Sequence, residues 1–216
     1  MAEITAAMVG ALREATGAGM MDCKKALTEA EGVFDKAVDI LQIKKKASVA
    51  KKASRIAAEG LVHAYVHMGG KIGVLCEVNC ETDFVARTEK FQTFVNDVCL
   101  HIAAMNPTVV SKDEFPADQV EHQKTIFVAQ VIEEGKPAAL AEKIVAGKLN
   151  KWIQESTLLD QTFVKHPDKT VGDYLAETTG DIGEKISIRR FTRFVLGEGI
   201  EKRSDNFAEE VAKQMR

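Results

Sequence analysis

The hydrophobic period of this sequence changes at Gly60, and that change limits the folds open to the chain. Before it, apolar residues recur at helical spacing. From Gly60 the period is two, with Val62, Ala64, Val66 and Met68 on one face and His63, Tyr65 and His67 on the other. Gly69-Gly70 makes a turn, and beyond it Ile72, Val74, Cys76 and Val78 alternate with Gly73, Leu75, Glu77 and Asn79, so a β-hairpin is predicted. A third strand is expected over Lys185–Val195, where Ile186, Ile188, Phe191, Thr192 and Phe194 are β-branched or aromatic. Everything between the second and third strands reads as helix. The predicted class is therefore α+β, a small antiparallel three-stranded sheet with helices on one face.

Residues 5–44 read as three short helices punctuated by Gly17, Gly19 and Gly32. Thr5 can cap the first, Met8, Val9 and Leu12 give it an apolar face, and Gly17 suits its end. Phe34, Ala37, Val38 and Leu41 mark the stripe of the third. So short a module has a marginal core and is expected to lean on a partner surface. The stretch Lys44–Arg55 is dense in charge and poor in anything to bury. Without interleaved aromatics it reads as a solvated linker or helix face rather than an RNA contact. The expected units are residues 1–55 with this linker, an α+β core over 56–198, and a C-terminal helical module over 199–216.

Within the core, Phe91, Phe94, Val95, Val98, Cys99 and Ile102 form a long apolar stripe that should lie across the sheet, in a helix ended by Asn106-Pro107. A further helix is predicted around Asp118–Glu134, closed by Gly135, and another from Pro137 to about Gln154. The chain then reverses at His166-Pro167-Asp168, and Thr170 opens a returning helix with Asp173 as its capping partner. These last two helices are expected to pair as an αα-hairpin, over about 136–180, that projects from the body. A last helix is expected over Asp205–Gln214.

Lysine and arginine total 29 against 32 acids, a formal net charge of -3, so the molecule as a whole carries no footprint for nucleic acid or anionic lipid. The N-terminal segment does not read as a secretory signal, and no apolar run is long enough to span a bilayer. Cys23, Cys76, Cys80 and Cys99 lack paired spacing, which argues for inert thiols in a reducing cytoplasm. There is no phosphate-cradling G-x-x-x-x-G-K-[ST] loop, no H-E-x-x-H and no G-x-S-x-G. Gly197-Glu198-Gly199 lacks the third glycine of a dinucleotide fingerprint. A non-enzymatic chain with no metal or cofactor is expected.

Two segments are poorly explained by folding alone. In Leu12–Leu27, Met20 and Met21 follow directly on Gly17-Ala18-Gly19, where flexible, polarizable side chains on a tight loop are free to meet a partner, or equally to pack within the helical module. In Glu77–Arg87 a strand end turns into a helix. Thr82 or Asp83 can cap that helix, and Phe84 can either staple it to the sheet, the reading composition favours, or stand out as an interface anchor.

Both segments resemble the signature motifs of the elongation factor Ts family. The likeness extends over nearly the whole chain, through His67–Leu75, His101–Ala104, Glu134–Pro137, Phe163-Val164, Lys169–Gly172 and Gly197–Glu201. The resemblance implies a nucleotide exchange factor for the GTPase elongation factor Tu. It implies that Arg13, Met20 and Met21 touch the partner's nucleotide-binding domain, and that Asp83 and Phe84 insert between two of its helices near the magnesium and phosphate site. His67 matches a position near that site, and Phe207 and Val211 match a terminal module on the same domain. Gly17, Gly19, Thr82 and Val85 support the motifs. Longer family members carry two related copies of the core; this chain shows one and resembles the short form. An open sheet face bearing Tyr65, Leu75 or Phe191 suggests a homodimer, with a compact monomer as the alternative. A competing reading of the N-terminal helices is a ubiquitin-associated-like module without exchange activity.

Overall fold

The computed structural model describes residues 4–135 and 137–200. The expected C-terminal helix, with Phe207 and Val211, lies outside the described residues.

The Thr5 hydroxyl accepts the Met8 N–H at 3.3 Å and starts helix α1 (Ala6–Thr16), which Gly17 closes at φ 68°. Helices α2 (Met20–Glu29) and α3 (Phe34–Lys52) complete the N-terminal module around Leu12, Cys23, Ala26, Leu27, Ala37 and Leu41. Of the stretch read as a solvated linker or helix face, residues 44–52 are the last turns of α3, which runs unbroken to Lys52. A second packing surface sustains them. Helix α8 (Val171–Ile182) lies against α3, and the Asp181 carboxylate there takes Lys45 Nζ on one oxygen and Lys90 Nζ, at 2.7 Å, on the other. Gly180 leaves room for the lysine stem, since a Cβ on it would stand 2.4 Å from Lys45 Cε. Lys52 is itself buried and donates to Ser48 Oγ at 2.9 Å. The basic run thus bolts the module to the core.

Strands β1 (Glu59–His67), β2 (Ile72–Cys80) and β3 (Ser187–Val195) form the antiparallel sheet in that order, as the periodicity predicts. Gly60 is required at its margin: with φ 139°, a Cβ would sit 2.1 Å from the Val78 carbonyl oxygen. Helix α5 (Glu89–Met105) crosses one face and buries Phe91, Phe94, Val95, Val98 and Ile102 against Val74, Cys76, Val78 and Ile188. Pairing of Tyr65 with Val74 and of Cys76 with Phe191 puts Tyr65 and Phe191 on this covered face, packed on the core. That corrects the expectation that they need covering. The open face instead exposes Val62, Val66, Leu75 and Phe194.

The helical hairpin also differs from expectation. Its arms are α6 (Ala117–Glu133) and α7 (Ala138–Ser156); after α6 Gly135 takes φ 66°, and Lys148 reaches Glu134 at 3.0 Å. Of α6 only Val131 is buried, so the hairpin projects. The helix opening at Thr170 has the expected capping box with Asp173, yet it is α8, a core element. Its Val171, Tyr174, Leu175 and Ile182 join the main cluster, where Tyr174 stacks on Phe163 at 4.7 Å. Those side chains are covered by the core, against α5 and α3, and not by α7.

His101 shows how the return from α7 is held. Buried on α5, it accepts the Val164 N–H at Nδ1 (3.2 Å), so Nε2 carries the proton and donates to Gln161 Oε1 at 2.9 Å. Burial pushes its pKa down. All four cysteines are free and buried.

Candidate protein-interaction site

At the end of β2 the chain turns into α4 (Asp83–Ala86), one turn of helix between strand and α5. Of the two possible caps, Thr82 is the one used: its hydroxyl oxygen accepts the Val85 N–H at 3.4 Å. The same hydroxyl donates to Glu184 Oε1 at 2.7 Å, and the Thr82 N–H donates to Glu184 Oε2 at 3.0 Å. One residue earlier, Glu81 Oε1 accepts the Lys185 N–H at 2.6 Å and the Arg55 guanidinium at 3.2 Å. The Lys185 N–H, followed by Arg55, holds the Glu81 carboxyl below the usual carboxylate range.

On this fixed turn Ala86 is buried and Val85 packs on the core, while Phe84 is 77 % exposed. The staple reading of Phe84 therefore fails, because Val85 is the residue that anchors α4. An aromatic side chain left in water on a one-turn helix gains nothing for folding and is available to a partner. Asp83 stands beside it, its carboxylate 2.8 Å from the Arg87 guanidinium.

Met20 and Met21 stand 56 % and 65 % exposed at the first turn of α2, where Gly19 offers no side-chain cap. They do not pack in the module core, whose α2 contribution comes from Cys23, Ala26 and Leu27. Arg13 is exposed in the last turn of α1, its carbonyl accepting the Gly17 N–H at 2.8 Å. His67 is half-buried, its Nδ1 2.9 Å from the Tyr65 hydroxyl, beside exposed Met68. It does not join Phe84. Glu59 pairs with Cys80 at one end of the hairpin and His67 with Ile72 at the other, which separates His67 from the turn by roughly 25 Å at ~3.3 Å per residue.

Glu184, Glu81 and Arg55 escaped the sequence reading. Nothing in sequence joins a carboxylate to a threonine 102 positions away. Among the described residues no three histidine, cysteine or acidic side chains are grouped to hold a metal ion, and no helix is long and apolar enough to cross a membrane.

Comparison with known proteins gives this geometry its setting. The family model described as elongation factor TS matches residues 5–198. The elongation factor Ts of Alkaliphilus oremlandii (strain OhILAs) is 60% identical over 213 residues, covering 99% of this chain and 98% of that protein. That of Desulfitobacterium hafniense is 56% identical over 215 residues, 100% of this chain and 99% of its own, and that of Geobacter sulfurreducens 56% identical over 209 residues, 97% of each. The chain belongs to the elongation factor Ts family.

Proposed function

We propose that this chain is a guanine-nucleotide exchange factor of translation elongation, working in the cytoplasm on the GTPase elongation factor Tu and catalysing no bond change of its own. The observation that carries the reading is Phe84, exposed on a turn whose capping residue Thr82 is held by Glu184 and whose Ala86 is buried. Family membership supplies the partner.

Exchange is a coupling between two binding events, and coupling is reciprocal: whatever factor lowers GDP affinity lowers the chain's affinity by the same ratio when GDP is bound. The partner holds its nucleotide through phosphate and magnesium contacts, so a wedge that shifts a neighbouring helix is sufficient to loosen it. Phe84 is the apolar wedge and Asp83 the polar contact favourable in the displaced arrangement. Met20, Met21 and Arg13 dock the N-terminal module on the nucleotide-binding domain, with Phe207 and Val211 adding to that contact. His67, at the far end of the hairpin, serves a second contact separate from the wedge.

The reading is tested by passing a cell extract over the immobilised chain. A GTPase retained without nucleotide and eluted by GDP is the expected result. Retention that GDP does not reverse would favour a ubiquitin-associated-like binding module instead. A second association has its own support: Val62, Val66, Leu75 and Phe194 expose apolar area on the uncovered sheet face, which suits a second copy of the chain.

A further inference from the structure

We infer that Glu184 is a positioning residue for exchange: with Glu81 it forms a two-carboxylate clasp that fixes the aim of the Asp83-Phe84 turn. The inference rests on the reading of that turn as the exchange tip.

Helix α4 is four residues long and cannot hold its own direction, because a single turn fixes several dihedrals for very few hydrogen bonds. Its orientation has to come from outside. Glu184 supplies it by taking both donors of the capping residue, the Thr82 N–H at 3.0 Å and the Thr82 hydroxyl at 2.7 Å. With its proton committed to Glu184, the hydroxyl presents its lone pairs to the Val85 N–H, so the carboxylate sets the cap's rotamer as well as its backbone. The adjacent residues reciprocate, Glu81 receiving the Lys185 N–H at 2.6 Å. Residues 81–82 and 184–185 thus grip each other through two carboxylates, each accepting a backbone N–H from the other segment.

The clasp reaches further. Arg55, just beyond the end of α3, donates to Glu81 at 3.2 Å, and Lys185 Nζ donates to the Arg55 carbonyl at 2.8 Å. The exit from the N-terminal module and the base of the tip therefore share one cluster. A wedge works only if it does not swing aside when it meets resistance, so stiffness at its base is part of its action. Hydrogen bonds to a charged acceptor are the strong kind and suit that load.

The test uses the full chain and stopped-flow release of a fluorescent GDP analogue from elongation factor Tu over a range of factor concentrations, with amide hydrogen exchange on the free chain. Glu184→Ala is expected to lower the maximal release rate by about ten-fold, with a much smaller change in the concentration giving half that rate. Protection should fall at residues 82–86 and persist in α5 and the sheet. Glu184→Gln, whose amide oxygen still accepts one Thr82 bond, should recover part of the rate, which guards against misfolding of the alanine variant. A native maximal rate in Glu184→Ala, or a loss matched by lost protection throughout α5 with no recovery in Glu184→Gln, overturns the inference. Phe84→Ala in the same assay separates the levels. If it slows release and Glu184→Ala does not, the clasp alone is refuted; if it matches the native chain, the tip reading falls and the inference with it.

Discussion

The carboxylate of Asp83 meets the guanidinium of Arg87 at 2.8 Å, one helical turn along, with both side chains largely in solvent. An exposed pair at this spacing contributes about 0.3–0.5 kcal/mol and is readily exchanged for a partner's donor. Arg87→Ala is therefore expected to shift the thermal midpoint by less than about 2 °C. A larger drop in a calorimetric scan would mean that Arg87 is part of the fold.

Acid should unfold the chain in two stages. Hydrogen bonds from Arg189 and Arg190 hold Glu77 below its ordinary 4.5, and the Lys185 N–H does so for Glu81. Burial pulls Asp181 upward, but hydrogen bonds from Lys45 and Lys90 outweigh it and leave the carboxyl below its ordinary 3.8. Each group is more acidic folded than unfolded, so its stabilisation is complete above the unfolded value and is lost as pH falls toward the folded one. His101 acts earlier. Burial lowers its pKa beneath 6.5, the unfolded chain takes up the proton first, and stability declines as pH drops below about 6.5. Denaturant midpoints from pH 8 to 3 should show both losses. Glu81→Gln should shrink the lower one, and His101→Gln should abolish the upper one; an unchanged profile in either variant would contradict the assignment.

What the sequence made legible was local. The period of two around Tyr65, the apolar stripe of α5 and the caps at Thr5, Thr82 and Thr170 each depend on residues within a turn or a strand of one another. The missed features are choices between distant surfaces. An apolar stripe on α7 says that something covers it but not that α6 does so and α8 does not. Alternation along β1 defines two faces, and only the packing of α5 on the sheet that β1 forms with β2 puts Tyr65 on the covered side and Val66 in solvent. At the site, Phe84 could staple or protrude; what decides is that Val85 takes the core contact and Glu184 holds Thr82. The basic run reads as a solvated linker or helix face because the partner that ties it to the core, Asp181, is 136 residues away from Lys45.

The open sheet face makes a prediction of its own. Phe194 is 67 % exposed there and shares the face with Val62, Val66 and Leu75. At micromolar concentration the chain should sediment at twice the mass of one copy, and Phe194→Asp should weaken that association by about ten-fold or more, because a carboxylate would be desolvated at an apolar contact. A native mass of one chain would remove the homodimer.

In the proposed mechanism Phe84 is the wedge that loosens the partner's nucleotide. Its exposure means that truncation removes no core contact, so Phe84→Ala should unfold within about 0.5 kcal/mol of the native chain. In stopped flow, at saturating factor, release of a fluorescent GDP analogue from elongation factor Tu should slow by about ten-fold or more, as expected for loss of a buried aromatic anchor. A release rate equal to that of the native chain, from an equally stable variant, would mean that Phe84 is not the wedge.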